Sequence, residues 1–340
     1  MEASKPETAD RGLHSARLPE KYADIPDFSP PSRRSLRGRL VTHLVRWGVR
    51  LWPKEDPAKL ARRARSFFDL PNVMGFISSR GIKFDRVEQS VCGEWVSCGE
   101  HSPNEGVVLY LHGGGYVSCS ARSHRTITAG LARRLPGRVF ALDYRLAPEH
   151  PFPAAVDDAA AAYQWLLEKG IPPERMALAG DSAGGGLAIA ALVRLRRSGH
   201  PMPACVVCLS PWVDLTGRSQ YSNQGSATFF QPDDITALAK LYLHGEPPEN
   251  PEASPVFAEL TGLPPLLVFA TRTELLANDA ARLHARAQSC GVGSVLVLYP
   301  GLPHVWQIYG DWLPEARLAL EQAAGFIAAQ FKTTVVLTSR

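Results

Sequence analysis

Residues 177–192 read ALAGDSAGGGLAIAAL: a short apolar run, then Gly180-Asp181-Ser182-Ala183-Gly184, then an apolar stretch of helical type. The pattern G-x-S-x-G between a strand and a helix makes a turn so tight that the serine oxygen stands exposed above the sheet, with the helix N-terminus beneath it. A serine is a poor nucleophile at its free pKa, so this reading requires a base and a group that orients the base. In a parallel sheet those partners belong in loops at the carboxyl ends of later strands.

The sequence on either side supports such a sheet. Strand-like RVFALDY, RMALAG, ACVVCLS, PLLVFAT and SVLVLYP alternate with helical RTITAGLARRL, AAVDDAAAAYQWLLEKG, SAGGGLAIAALVRLRRSG and NDAARLHARAQSCG, and a last helix is predicted from Pro314 to Phe331. Strands alternating with helices of this length give a mostly parallel sheet covered on both faces. Two short strands, KFDRVEQSV and EWVSCGE, come earlier. Residues 211–263 break the rhythm with a polar stretch, a short helix and a proline-rich return, as an insertion above the sheet would. No internal repeat is present. The expected division is an N-terminal tail with cap helices over 1–75, a catalytic core over 76–210 and 264–335, and an inserted cap segment over 211–263.

Within this frame only His304, in VLYPGLPHVWQIY, follows the last strand, whereas His284 falls in mid-helix among arginines. The acid should follow PLLVFAT, where Glu274 stands just past the strand and Asp279 is better placed to open the next helix. Glu274 is the preferred acid and Asp279 the alternative. Residues 106–120, GVVLYLHGGGYVSCS, end a buried-type strand in three consecutive glycines, which expose bare N–H groups to a developing negative oxygen. The N–H of Ala183 adds a further donor.

HGGGY at 112–116, DYRLAPEHPFPAAVDD at 143–158, GDSAGGG at 180–186 and the loop histidine at 304 stand in an order that resembles the hormone-sensitive-lipase-like branch of the α/β-hydrolases, the bacterial family IV carboxylesterases. The resemblance covers roughly residues 85–330. It implies an α/β-hydrolase fold with a mostly parallel eight-stranded sheet, flanking helices and a helical cap. It assigns Ser182 as nucleophile, His304 as base and Glu274 as acid, with an oxyanion hole from Gly114, Gly115 and Ala183. Two departures stand out: Glu274 replaces the commoner aspartate and precedes Leu275 and Leu276, and Val305 and Trp306 follow the base where glycine is usual. Tyr116, Asp181, Trp212, Val305 and Trp306 are candidate pocket residues. The DYRLAPEH segment is expected to be a scaffold turn whose charges are buried and mutually satisfied.

The implied function is hydrolysis of short-chain acyl esters through an acyl-enzyme, with an amidase or deacetylase of acetylated small molecules as the alternative. A non-catalytic binding protein on the same scaffold is a further class, which the presence of His304 opposes. No cofactor or metal is expected: the six cysteines are scattered, and Cys205 and Cys208 lie in one strand without further ligands nearby. A net charge of +4 without a clustered basic stripe excludes nucleic acid as a partner. Residues 1–35 lack the apolar segment of a secretory signal, so a cytoplasmic location is expected. Residues 36–52 form a basic amphipathic helix, with Leu36, Leu40, Val41, Leu44, Val45, Leu51 and Trp52 on one face, that offers a weak membrane-surface contact. The family resemblance also allows a homodimer.

Overall fold

The computed structural model describes residues 28–51, 65, 80–100, 105–218 and 232–337. Eight strands form one sheet: β1 (Lys83–Glu88), β2 (Cys92–Ser97), β3 (Gly106–Leu111), β4 (Gly137–Leu142), β5 (Met176–Asp181), β6 (Cys205–Leu209), β7 (Leu266–Thr271) and β8 (Ser294–Tyr299). Their order is β1-β2-β4-β3-β5-β6-β7-β8. The first two strands pair antiparallel, β2 is antiparallel to β4, and every later pairing is parallel. Parallel strands share one carboxyl edge, so the loops after β3, β5, β6, β7 and β8 gather on the same side.

The described helices are α1 (Leu36–Leu51), α2 (Arg125–Ala132), α3 (Ala154–Glu168), α4 (Ala183–Arg197), α5 (Pro232–Leu243), α6 (Ala277–Ser289) and α7 (Pro314–Leu337). The last runs six residues past the end expected at Phe331. Central strands β3, β5, β6 and β7 are buried along their whole length, which is why they read as unbroken apolar runs. Their side chains alternate between two cores. Val107, Leu109, Leu111, Leu178 and Cys208 meet α3, α4 and α6, while Val108, Tyr110, Ala179 and Cys205 meet α2 and α7. Cys205 and Cys208 thus face opposite sides of the sheet.

Two expectations are corrected here. The apolar residues of α1 do not share one buried face: Val41 and Val45 pack inward against Tyr309 and Trp312, while Leu36, Leu40 and Leu44 are exposed. The buried side instead takes Gly38 and Thr42, small residues that let the helix approach Glu315 and Gly301. Of the N-terminal stretch expected over 1–75, residues 28–51 and Arg65 are described; Trp52, and residues 219–231 of the inserted segment, lie outside the described residues. The charges of DYRLAPEH are paired but not buried. Asp143 meets Arg86, Arg145 meets Asp158 and Glu149 meets Arg65 in half-exposed or exposed ion pairs. The tyrosine of this segment is what goes inside, because its ring stacks on His112 with centroids 4.2 Å apart.

α4 approaches the end of β3 closely. A Cβ on Gly184 would run into the carbonyl oxygens of Leu111 and His112, neither of which can move without disturbing the sheet. Gly184→Ala is therefore expected to destabilise the protein by about 1–3 kcal/mol through overpacking. Gly48→Ala, on α1 with open space around it, should instead stabilise by about 0.5–1 kcal/mol through helix propensity. Urea unfolding of the two variants checks the contrast, and a Gly184→Ala protein as stable as the parent would contradict the packing argument.

Candidate active site

Ser182 follows β5 with φ 52° and ψ −121°, a conformation that side chains rarely adopt. Backbone bonds to both sides hold it there. Its N–H donates to Leu209 O at 2.8 Å, and its carbonyl accepts from Trp212 N at 2.9 Å and from Gly185 and Gly186. The turn admits no larger neighbours, since a Cβ on Gly180 would meet Gly184 O. Ser182 Oγ thereby lies 2.9 Å from His304 Nε2.

His304 comes from the loop after β8. Its Nδ1 lies 2.6 Å from Glu274 Oε2; the acceptor-only carboxylate takes a hydrogen bond from Nδ1–H, which leaves Nε2 to accept from the serine. Glu274, three residues past β7, is completely buried. Its other oxygen accepts from Thr271 N at 2.7 Å and from Ser210 Oγ at 3.0 Å. A buried carboxylate needs such donors, and here three groups satisfy it. Asp279, the alternative acid, is equally buried but points elsewhere: its Oδ2 accepts the N–H groups of Val213 and Asp214 at 3.0 and 3.1 Å. It does not cap α6 either, because the residue before that helix is Leu276 and no side chain caps it.

The glycine loop after β3 presses against this turn. A Cβ on Gly113 would strike the Asp181 carboxylate. Gly114, at φ 111°, accepts at its carbonyl from Val117 N and Ser118 N, both at 3.1 Å, and a side chain there would hit Ser118 O. At Gly115 a Cβ would lie 3.0 Å from Leu238 Cδ1 on α5. The N–H of Ala183, at the first position of α4, has no helical acceptor. Gly115, Ser182, Trp212, Ile235, Leu238, Leu275, Leu276 and His304 line a small cavity above the serine. Its described walls are almost wholly apolar. Ile235 and Leu238 come from α5, which therefore lines the same pocket as Ser182.

Of the candidate pocket residues, Trp212 lines this cavity and four others do not. Trp306 is fully buried below it, beside Tyr299 and with Nε1 donating to Glu315 O. Val305 is buried in the same core at φ 51°, a left-handed conformation that turns its side chain away after His304. Tyr116 is buried and stacks on Tyr242 of α5 with centroids 3.8 Å apart. Asp181 lies beneath the loop. The bulk beside His304 therefore packs beneath the site and leaves the pocket wall to Trp212, three leucines and an isoleucine. His284, expected to be solvated, is partly buried and meets Ser294 Oγ at 2.9 Å.

Asp181 anchors a buried polar network that the sequence did not reveal. Its Oδ1 accepts from Tyr110 OH at 2.6 Å and from Gly113 N at 3.0 Å, and its Oδ2 lies 3.2 Å from His124 Nε2. Burial alone would raise the Asp181 pKa, but the His124 charge and the bonds from His124 and Tyr110 hold it below the usual value. Burial likewise opposes charge on His124, and the Asp181 carboxylate outweighs it and raises that pKa. Burial and the nearby His124 push His112 down to about 4, leaving it neutral. Its Nδ1 donates to Gly113 O at 2.7 Å, and Tyr144 OH donates to His112 O at 2.7 Å. Ser210 and Thr271 were also missed. Ser210 alone had a signal: a polar residue closing the buried strand between those that carry Ser182 and Glu274.

Residues 108–308 match the α/β-hydrolase fold family. The chain is 42% identical over 269 residues to an acetyl-hydrolase of Streptomyces hygroscopicus, covering 74% of this chain and 90% of that protein. It is 36% identical over 223 residues to an esterase of Acinetobacter venetianus, covering 65% and 74%. Among solved structures, an esterase from the bacterial hormone-sensitive lipase family superposes with a TM-score of 0.80 at 39% identity, over 88% of this chain and 99% of that one. The family match spans β4 to β8 together with the turn at Ser182 and the glycine loop. The chain accordingly belongs to the α/β-hydrolase family, in its hormone-sensitive-lipase-like carboxylesterase branch, and is a carboxylic ester hydrolase.

Proposed function

We propose that the chain hydrolyses short-chain acyl esters through a Ser182 acyl-enzyme, with His304 as base and Glu274 as its orienting acid. The single observation that carries this is the continuous relay of 2.9 and 2.6 Å from Ser182 Oγ through His304 to Glu274. Ser182 Oγ attacks the ester carbonyl as Nε2 takes its proton. The oxygen that becomes negative is met by the N–H groups of Gly114, Gly115 and Ala183. His304 then returns the proton to the leaving alcohol, and a water activated at the same nitrogen releases the acid. Glu274, held from behind by Thr271 and Ser210, keeps the imidazole in the required tautomer and stabilises it when protonated.

Ser182→Ala and His304→Ala are each expected to lower kcat on a p-nitrophenyl ester by at least about 10⁴-fold, and the double variant should lose no more than the worse single one. Glu274→Gln should cost about 10²–10⁴-fold in kcat. Asp279→Asn should spare kcat and instead destabilise the fold by about 1–3 kcal/mol, because the amide offers two backbone donors one poorer acceptor. A reversed ranking of Glu274 and Asp279 in kcat would move the acid.

The cavity supports small acyl groups. Leu238 and Ile235 close it from α5, and Leu275 and Leu276 from the acid loop. Each further methylene gains about 0.8 kcal/mol only while apolar space remains. Across p-nitrophenyl esters from acetate to palmitate, kcat/KM should peak between about C2 and C6; a maximum at C10 or longer refutes this reading. The likeness to an acetyl-hydrolase favours acetyl among the small groups and keeps deacetylation of an acetylated amine as a second reading. Matched acetate-ester and acetamide substrates separate the two.

In this mechanism Asp181 is a positioning residue, since it grips Gly113 and so sets the height of the glycine loop. Asp181→Asn should lower kcat by about 10–100-fold with KM little changed. The same network makes stability depend on pH. His112 has a folded pKa of about 4 against an ordinary 6.5, so between those values the unfolded chain binds the extra proton and stability rises with pH. His124, whose pKa is raised, contributes stability that is complete below 6.5 and is lost as pH climbs through its folded value. The two contributions together peak near pH 6.5. Urea unfolding of the parent and His112→Asn should therefore diverge by up to about 1.4 kcal/mol per pH unit from 4.5 to 6.5.

A further inference from the structure

We infer that α1 docks on an anionic lipid–water surface. Leu36, Leu40, Leu44 and Trp47 leave 81, 53, 52 and 60% of their surfaces exposed. At about 100° per residue these four positions span about 80° of the helix, a single continuous stripe. The opposite side is already occupied: Val41 and Val45 pack on Tyr309 and Trp312, Ser35 binds Glu315 through its N–H and hydroxyl, and Gly38 abuts Glu315 and Leu302. The helix is thus held without the stripe. Three leucines and a tryptophan in one exposed row form the apolar face of a helix that lies in an interface, beyond the scattered apolar residues of an ordinary surface.

Charge selects the occupant. α1 contains Arg37, Arg39, Arg46 and Arg50 and no acidic residue, and Arg33 and Arg34 precede it. Arg37 lies on one flank of the stripe and Arg39 and Arg46 on the other, all three exposed. Two copies meeting through this face would bring uncompensated arginines together, which disfavours a dimer. An anionic lipid surface takes up the apolar row and the flanking cations at once. No described helix is long and apolar enough to cross a membrane, so the contact is peripheral.

The seat of α1 ties this surface to the site. Arg34 Nη1 and Thr42 Oγ1 both donate to Gly301 O, at 3.0 and 3.4 Å, three residues before His304. α1 therefore stands between a lipid surface on its outer side and, on its inner side, the loop that carries His304.

The test is co-sedimentation of the full chain with large vesicles of phosphatidylcholine, alone or with about one-third phosphatidylglycerol. The parent should bind the anionic vesicles at least about 10-fold more tightly than the neutral ones, and raising NaCl to about 0.5 M should remove most of that preference. Leu40→Glu/Trp47→Glu and Arg39→Glu/Arg46→Glu should each weaken anionic binding by about 10-fold or more while keeping the parent Tm and the rate on a soluble ester. Absence of binding, equal binding to neutral vesicles, or undiminished binding by Leu40→Glu/Trp47→Glu would overturn the inference. So would a parent dimer that the same pair of substitutions dissociates in sedimentation equilibrium, an outcome that assigns the stripe to a second copy. Because the readout is binding, it stands whether or not the ester chemistry is as proposed.

Discussion

The site depends on how closely the turn after β5 approaches the backbone of β3. Gly184 leaves no space for a Cβ against Leu111 and His112, and Gly113 none against Asp181. This contact fixes how near the Ser182 turn comes to the glycine loop, so the same atoms that pack the sheet also place Ser182 against that loop. Geometry of this kind is held by backbone, which cannot change rotamer, and is correspondingly rigid.

Backbone strain concentrates at the same place. Tyr116, Cys119, Ser182, Ser210 and Val305 all adopt positive φ without being glycine, and each belongs to a loop at the carboxyl edge of the sheet. Such conformations cost about 1–3 kcal/mol each and persist only where surrounding contacts over-determine them. Here those contacts are visible: Ser182 is bonded to Leu209 and Trp212, Ser210 to Phe269 and Glu274, and the Tyr116 carbonyl accepts from Ala147 N. The two cores on either face of the sheet hold the strands whose ends carry Ser182, Ser210 and Val305 in place against this strain.

The parallel core, the elbow and the glycine loop were legible because each rests on a rule with one solution: buried strands need unbroken apolar runs, and close backbone approach needs glycine. His304 was legible by its place after the last strand. What sequence could not reveal was lateral. Ser210 and Thr271 reach Glu274 only because β6 lies beside β7, and Asp181 meets His124 across a separation of 57 residues. Val305 and Trp306 misled because a bulky residue beside a catalytic one can line a pocket or support it, and only the φ of Val305 decides. In α1 the single apolar face is divided: Val41 and Val45 turn inward while Leu36, Leu40 and Leu44 stay outside, a split that helical periodicity alone does not show.

The stacked rings of Tyr116 and Tyr242 join the roof of the cavity to its catalytic floor. Tyr242 belongs to α5, Tyr116 adjoins Gly115, and Leu238 of α5 rests against Gly115 itself. Displacing α5 would therefore pull on Tyr116 and on the glycine loop beside it, so the roof and that loop shift as one unit.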